Sequence, residues 1–385
     1  MNILQAVSSW RGGTIRVALD IAKTLSLKEH FLVTLYMTNL AFKIVDSEAL
    51  GTIRIKNLNV LCPKVAKRTK LFITPQLASL KNEIIHFNVI HLHGFRTFQN
   101  VIIHHYARKY GIPYVLQAHG SLPRITEKRG LKWIYDTFFG YRLLRDSSRV
   151  IAISQMEAQQ YRKMGVPIEK IEVIPNGIDL SKYVNLPSKG SFKKKFSIDD
   201  NAKIILCLGR IHRAKGINFL VKAYAYLTKS MKYNNVILVI AGPDDGYLHK
   251  VEQQVSYLKI VDKVVFTGML SEKEKIRAYV DSDIVVNVEP RNVFGLVPLE
   301  AAVCSTPVIV SKGNAISNTV CQGKFGFSVE YGDVNELAEI MGTMLDNDDL
   351  LREMGQRGRK FIFENCNWAD IVTKLEKVYE GVHAK

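Results

Sequence analysis

The chain has 385 residues, 47% of them hydrophobic and 23% charged, with a formal net charge of +17. That length is too great for one core of ordinary size and predicts two domains of globular composition. No apolar run reaches the roughly 18 residues of a membrane helix, MNILQAVSSW lacks the basic start and cleavage site of an export signal, and the five scattered cysteines form no CxxC pair, so disulfide frameworks and zinc sites are not expected and a reducing cytoplasm is.

The charge is unevenly placed. Residues 1–175 carry 25 Lys+Arg against 11 Asp+Glu, and residues 176–385 carry 28 against 25. The first half is therefore strongly basic, with local clusters at Lys64, Lys67, Arg68 and Lys70 and at Arg124, Lys128, Arg129 and Lys132. Such a surface suits an anionic partner: nucleic acid, a phosphorylated substrate or an acidic membrane face.

In chain order, NILQAV is followed by GGTIRVALDIAKTL, whose apolar residues recur at helical spacing. FLVTLYM comes next, then NVIHLHG with FQNVIIHHYARKYG, PYVLQAHG, RVIAIS with MEAQQYRKMG, and KIEVIPNG. The second half repeats the pattern: KIILCLG with INFLVKAYAYLTK, NNVILVIAG, KVVFTG with SEKEKIRAYVDS, DIVVNV, and TPVIVS. Val/Ile-rich runs bounded by Gly, Asn and Pro, each leading into a helix, indicate buried parallel strands in βαβ units. Two successive sets predict an α/β protein with two Rossmann-like, doubly wound domains. The boundaries expected are 1–180 for the first, 181–195 for a polar linker punctuated by Pro and Gly, and 196–365 for the second.

In such sheets ligands bind beyond the carboxyl ends of the strands. Gly12 and Gly13 follow the first strand, where glycines allow close backbone approach and a helix N-terminus favours an anion. They form neither a GxGxxG fingerprint nor a phosphate loop, which weighs against hydride transfer and NTP hydrolysis. His91, His93 and His119 end strands; His119, followed by Gly120 and Ser121, has the most open setting, and no third ligand accompanies the HxH pair as a metal site. In LGRIHRAKG, Arg210 leaves a strand end and Lys215 precedes Gly216 and a helix, a suitable clamp for a diphosphate. Asp281-Ser282-Asp283 stands at the opposite end of a strand and reads as a helix-to-strand turn.

VIHLHG, LQAHGSLP, RVIAIS, VIPNGID, LGRIHRAKG, IAGPDDG and FGLVPLEA occur in this order over nearly the whole chain. Together they resemble the retaining glycosyltransferases of the GT-B fold, and within them glycosyltransferase family 4. The resemblance implies two Rossmann-like domains facing each other across a cleft, the acceptor on the N-terminal side and the nucleotide-sugar donor on the C-terminal side. It also implies a final helix, within 366–385, that crosses back to the first domain. The donor-binding residues it implies are Gly12, Gly13, Arg210, Lys215, Asn292, Val293, Phe294, Gly295, Leu296 and Glu300. Glu300 matches the second glutamate of the family's E-x7-E element, which takes the ribose hydroxyls. Asn292 stands where the first glutamate is usual, which keeps an acceptor oxygen but removes a charge near the anomeric carbon; Glu289 could supply that charge. His119 matches the family's cleft histidine and is assigned hydrogen-bond support of the transition state. Arg210 and Lys215 would neutralise the departing diphosphate, so no metal and no cofactor is expected beyond a UDP- or GDP-sugar substrate.

The expected acceptor is a lipid-linked or polysaccharide-precursor glycan. The basic first half and KWIYDTFFGYRLL (132–144) suit peripheral docking on an acidic membrane face. The competing readings are a sugar-nucleotide epimerase or phosphorylase of the same architecture, a non-enzymatic nucleic-acid-binding protein suggested by charge alone, and an inactive scaffold suggested by Asn292.

Overall fold

The computed structural model describes residues 1–8, 13–42, 52–64, 66, 72–124, 129–289 and 295–384. The chain forms two compact units, Met1–Gly177 with Trp368–Lys385, and Ile178–Asn367.

The first unit holds a seven-stranded parallel sheet. Its strands are β1 (Asn2–Val7), β2 (Leu32–Thr38), β3 (Arg54–Leu58), β4 (Val89–His93), β5 (Tyr114–Gln117), β6 (Arg149–Ala152) and β7 (Ile171–Val173), in the order β3-β2-β1-β4-β5-β6-β7. The second unit holds β8 (Lys203–Leu208), β9 (Val236–Ala241), β10 (Val264–Gly268), β11 (Ile284–Asn287), β12 (Val308–Ser311) and β13 (Gly326–Val329), in the order β10-β9-β8-β11-β12-β13. Both orders reverse once, beside β1 and beside β8, as in a doubly wound fold. Strand burial on both faces explains the unbroken Val/Ile runs.

Two strands escape the apolar-run pattern, and both are sheet edges. β3 carries three polar residues in five (RIKNL) and is buried only at Leu58, and β13 begins at Gly326 and has four residues. The segment 181–195, expected as a linker, is folded into the second unit. Asp281 fixes it there: Oδ1 accepts from the Gly190 N–H at 2.7 Å, and Oδ2 accepts from the N–H groups of Phe192 at 2.7 Å and Lys193 at 3.0 Å. Asp283 likewise accepts from the Ile204 N–H at 2.7 Å. Both acids of the DxD are therefore occupied in backbone contacts.

The last helix, Trp368–His383, packs in the first unit against the helix Gly13–Ser26. Its Glu376 pairs with Lys28 and, at 2.7 Å, with His30. Gly177 abuts Trp368 so closely that a Cβ would lie 2.7 Å from its ring. No helix among the described residues is long and apolar enough to cross a membrane.

Candidate active site

In the first unit, leucines, isoleucines and alanines at Leu4, Ala6, Ile90, Leu92 and Leu116 face the helix Phe98–Tyr110 and form one core. The alternate positions on β1, β4 and β5 include polar ones toward the strand ends: Gln5, His91, His93 and Gln117 are all buried. Register places Gln5 beside His91 and His93 beside Gln117. Period-two alternation thus yields a polar row across three adjacent strands. Tyr379, from the final helix, approaches it, its hydroxyl 2.7 Å from His91 Nδ1.

His119 follows β5 in a left-handed conformation, φ +50°, next to Gly120 at +72°. Its Nε2 lies 2.9 Å from His93 Nδ1, and His93 Nε2 lies 3.2 Å from Gln5 Oε1. With Gln5 presenting its carbonyl, His93 donates from Nε2 and accepts from His119 Nε2–H. That leaves His119 Nδ1 without a proton, as an acceptor. Burial lowers His119 to about 3. Burial, with His119 adding, lowers His91 to about 3, and burial beside the other two holds His93 well below the usual range. All three rings are neutral at pH 7 and not cations; His119, His93 and Gln5 form a hydrogen-bond chain, while His91 bonds Tyr379.

The turn carrying His119 is held by the helix Gln155–Lys163. The Gly120 N–H donates to Glu157 Oε1, the Ile153 N–H donates to Glu157 Oε2 at 2.8 Å, and the Ala118 N–H donates to the Tyr161 hydroxyl at 2.9 Å. Burial raises the Glu157 carboxyl to about 7 against the pull of its two N–H donors. Sequence reading passed over this residue, although Ser154 and Glu157 have the S-x-x-E spacing of a capping box, and the Ser154 side chain does accept from the Glu157 N–H. On the far side of the turn, Arg96 donates to Leu122 O at 2.7 Å and, with both arms, to the buried Asp136 at 2.7–2.8 Å. Gly13 opens the helix after β1; Gly12 lies outside the described residues.

In the second unit the strand-end loops of β8 and β9 interlock. Gly242 sits where a Cβ would come within 1.8 Å of Gly209 O. Arg210 follows and forms an ion pair with Asp245. Gly216, at φ +68°, sits where a Cβ would come within 1.8 Å of Val288 O, so only glycine fits. It starts the helix Ile217–Lys229, which has no side-chain cap and leaves its first N–H groups for an anion. Lys215, just before it, is paired with the buried Glu289. The sequence offered Glu289 as a substitute charge for Asn292; the structure gives it to Lys215.

Glu300 lies on the helix Leu296–Val303, behind its N-cap Gly295. It is buried, and Oε2 accepts from the Tyr279 hydroxyl at 2.7 Å. Asn292, Val293 and Phe294 lie outside the described residues. Asn287 Oδ1 and Ser311 Oγ, at the carboxyl ends of β11 and β12, are buried with no hydrogen-bond partner among the described residues. Among those residues no three His, Cys, Asp or Glu side chains converge as a metal site.

Each unit therefore gathers polar residues at the carboxyl ends of its central strands, one around a neutral histidine chain and the other around cations and glycines. Comparison with known proteins agrees with that arrangement. The model for glycosyl transferases group 1 matches residues 188–361, and that for Glycosyltransferase Family 4 matches residues 11–182. The N-acetyl-alpha-D-glucosaminyl L-malate synthase of Bacillus anthracis is 27% identical over 62% of this chain and 61% of its own length. The alpha-monoglucosyldiacylglycerol synthase of Streptococcus pneumoniae is 30% identical over 54% of this chain and 47% of its own length. The match thus spans about half to three-fifths of these two relatives. Among solved structures, Anabaena HepE in complex with UDP and glucose superposes with a TM-score of 0.82 and 20% identity, over 99% of this chain and all of that one. With the two models meeting end to end along the chain and this fold beneath them, the protein belongs to the group 1, family 4 glycosyltransferases of GT-B architecture.

Proposed function

We propose that the protein is a retaining, metal-independent glycosyltransferase that moves a sugar from a UDP- or GDP-sugar to a hydroxyl of a lipid-linked or polysaccharide-precursor glycan. The observation that carries the reading is the Gly216 cradle: a helix N-terminus at the strand-order reversal of the second unit, with Lys215 directly before it and Arg210 in the same loop after β8. Such a site suits a diphosphate and needs no metal to neutralise it. The Anabaena neighbour's complex with UDP and glucose supports the donor class. Both curated relatives are named for alpha-glycosides, which supports retention, since common hexose donors are alpha-linked.

In the proposed reaction the acceptor oxygen bonds to the anomeric carbon and the bond from that carbon to the diphosphate breaks. The acceptor's proton passes to the departing diphosphate oxygen. Lys215 exchanges Glu289 for the diphosphate as charge builds there. Glu300, oriented by Tyr279, takes the ribose hydroxyls, and the N–H groups of Gly295 and Leu296 take the diphosphate or sugar. Asn292 contacts the sugar as a neutral group. His119 accepts a hydrogen bond through Nδ1 and supports the transition state. The basic first unit makes peripheral contact with the acidic inner face of the membrane, where a lipid-linked acceptor resides. The lipid product named for the pneumococcal relative supports that acceptor class.

Thermal unfolding with UDP, GDP, ADP and CMP tests the donor site. A ligand at about 100 times its Kd adds roughly 2.7 kcal/mol, a shift of a few degrees. One nucleoside diphosphate should give that shift, and Lys215→Ala and Glu300→Ala should each abolish it. No shift with any of the four would sink the transferase reading.

A further inference from the structure

A groove of about 430 Å³ lies on the first unit, away from the strand ends. One wall is the helix Phe98–Tyr110, which presents Val101, His104, His105, Arg108 and Lys109. Those positions follow i, i+3, i+4, i+7, i+8, a single helical face. The other wall holds Phe138, Phe139 and Arg142. The acid at this site is Asp146, which bonds His104 at 3.0 Å, Arg108 at 3.4 Å and Arg145 at 2.9 Å. Cations therefore outnumber acids, and burial lowers His104, so it adds no charge at pH 7. The floor is aromatic and the rim is basic.

The second wall continues into an apolar stripe. Residues 129–146 form a helix carrying a π-helical turn at Asp136–Gly140. Leu131, Ile134, Phe138 and Tyr141 recur along it at helical spacing, and Trp133 and Phe139 flank them. All six are exposed, out of 18 exposed large hydrophobics among the described residues. A third of those exposed residues are thus gathered within eleven positions beside a cationic groove. Scattered exposed hydrophobics need no explanation, but a stripe does.

We propose that this groove is a binding site for the phosphate of an anionic phospholipid headgroup, with the stripe from Leu131 to Tyr141 seated at the headgroup–acyl boundary. This deepens the membrane contact proposed above and rests on that reading of the basic first unit. Charge alone would take any phosphate; the adjoining apolar stripe selects one attached to a bilayer. Arg108, Lys109 and Arg142 meet the phosphate, and Phe138 and Phe139 sit against the first methylenes of the chains.

The test is sedimentation of the full chain with phosphatidylcholine vesicles, with and without phosphatidylglycerol. The wild type should bind only the anionic vesicles. R108E/R142E and F138S/F139S should each lower partitioning at least ~tenfold, given that one surface cation contributes roughly a fivefold factor. Tyr257→Ser, an exposed aromatic in the second unit, should change nothing. Equal binding by wild type and R108E/R142E would overturn the groove. Binding of inorganic phosphate at the groove by calorimetry, with vesicle binding indifferent to F138S/F139S, would overturn the lipid assignment in favour of a soluble phosphate ligand. Nucleotide-induced thermal shifts run on the same samples report the second unit alone. They keep failure at the groove distinct from failure of the donor site, and urea unfolding of each variant, read for the first unit against the wild type, shows that the variants are folded.

Discussion

The two units share one topology and solve the same problem with opposite chemistry. At the strand ends of the first, the polar groups carry little charge: neutral His91 and His93 with Gln5 and Gln117, all buried, a partly buried neutral His119, and a buried carboxyl, Glu157, raised to about 7. At the strand ends of the second, beside the neutral Asn287 and Ser311, stand charges already paired, Arg210 with Asp245 and Lys215 with Glu289. The glycines around them admit no other residue. A neutral chain can follow the shape and hydroxyls of a sugar. A set of cations with exchangeable carboxylate partners can receive a diphosphate and release it. The lesson is that one fold supports both because the strand ends, and not the sheet, carry the difference.

The largest effect separating the units should come from Gly216→Ala. The added Cβ meets Val288 O and the backbone is held in the left-handed region. Destabilisation of about 3–5 kcal/mol is expected, read by urea unfolding as earlier loss of the second unit with the first unchanged. Loss of both together would mean that the units do not respond separately.

Next comes pH. The lowered histidines, His91, His93, His104 and His119, all belong to the first unit. A lowered folded pKa means the unfolded chain binds more protons, so stability falls as pH drops below about 6.5, by about 1.4 kcal/mol per unit for each of His91, His93 and His119, with His104 acting in the same direction. Glu157 acts with the opposite sign. Its raised pKa contributes stability below the unfolded value near 4.5 that is lost as pH rises through about 7, on the order of 3 kcal/mol in all. Calorimetry between pH 7 and about 5 should show the first unit weakening while the second holds. In Glu157→Gln that acid loss should steepen, because the opposing contribution is gone.

A smaller change should follow Glu289→Gln. Lys215 loses its carboxylate partner at a partly buried site, and destabilisation of about 2 kcal/mol is expected. Nucleoside diphosphate should bind several-fold tighter by titration calorimetry, since no ion pair has to be exchanged. Weaker binding would show that Glu289 does more than compete for Lys215. The smallest effect belongs to Asp245→Asn, whose pair with Arg210 is well exposed. About 0–1 kcal/mol is expected in stability, checked by denaturant midpoint.

The sheet cores were legible because parallel strands covered on both faces must be apolar throughout, and eleven runs announced themselves that way. β3 and β13, two of the four edge strands, were not legible, because RIKNL carries three polar residues and GFSV opens on glycine. His119, Arg210 and Lys215 could be found from their positions after strands. Their partners could not: Lys215 and Glu289 are 74 residues apart, His91 and Tyr379 are 288 apart, and no local pattern links them. Glu157 is the intermediate case. Its capping-box spacing was visible, but the grip on Gly120, 37 residues earlier, appears only when β5 and β6 lie side by side.

The helix Trp368–His383 belongs to a unit whose other 177 residues are made first. The polar row on β1, β4 and β5 has Tyr379 for a neighbour only once that helix has left the ribosome. The second unit, continuous from Ile178 to Asn367, can close earlier, so completion runs against the direction of synthesis. Until that helix emerges, His91 lacks its Tyr379 partner and the part of the first sheet it packs on stays exposed, the kind of surface that draws chaperones.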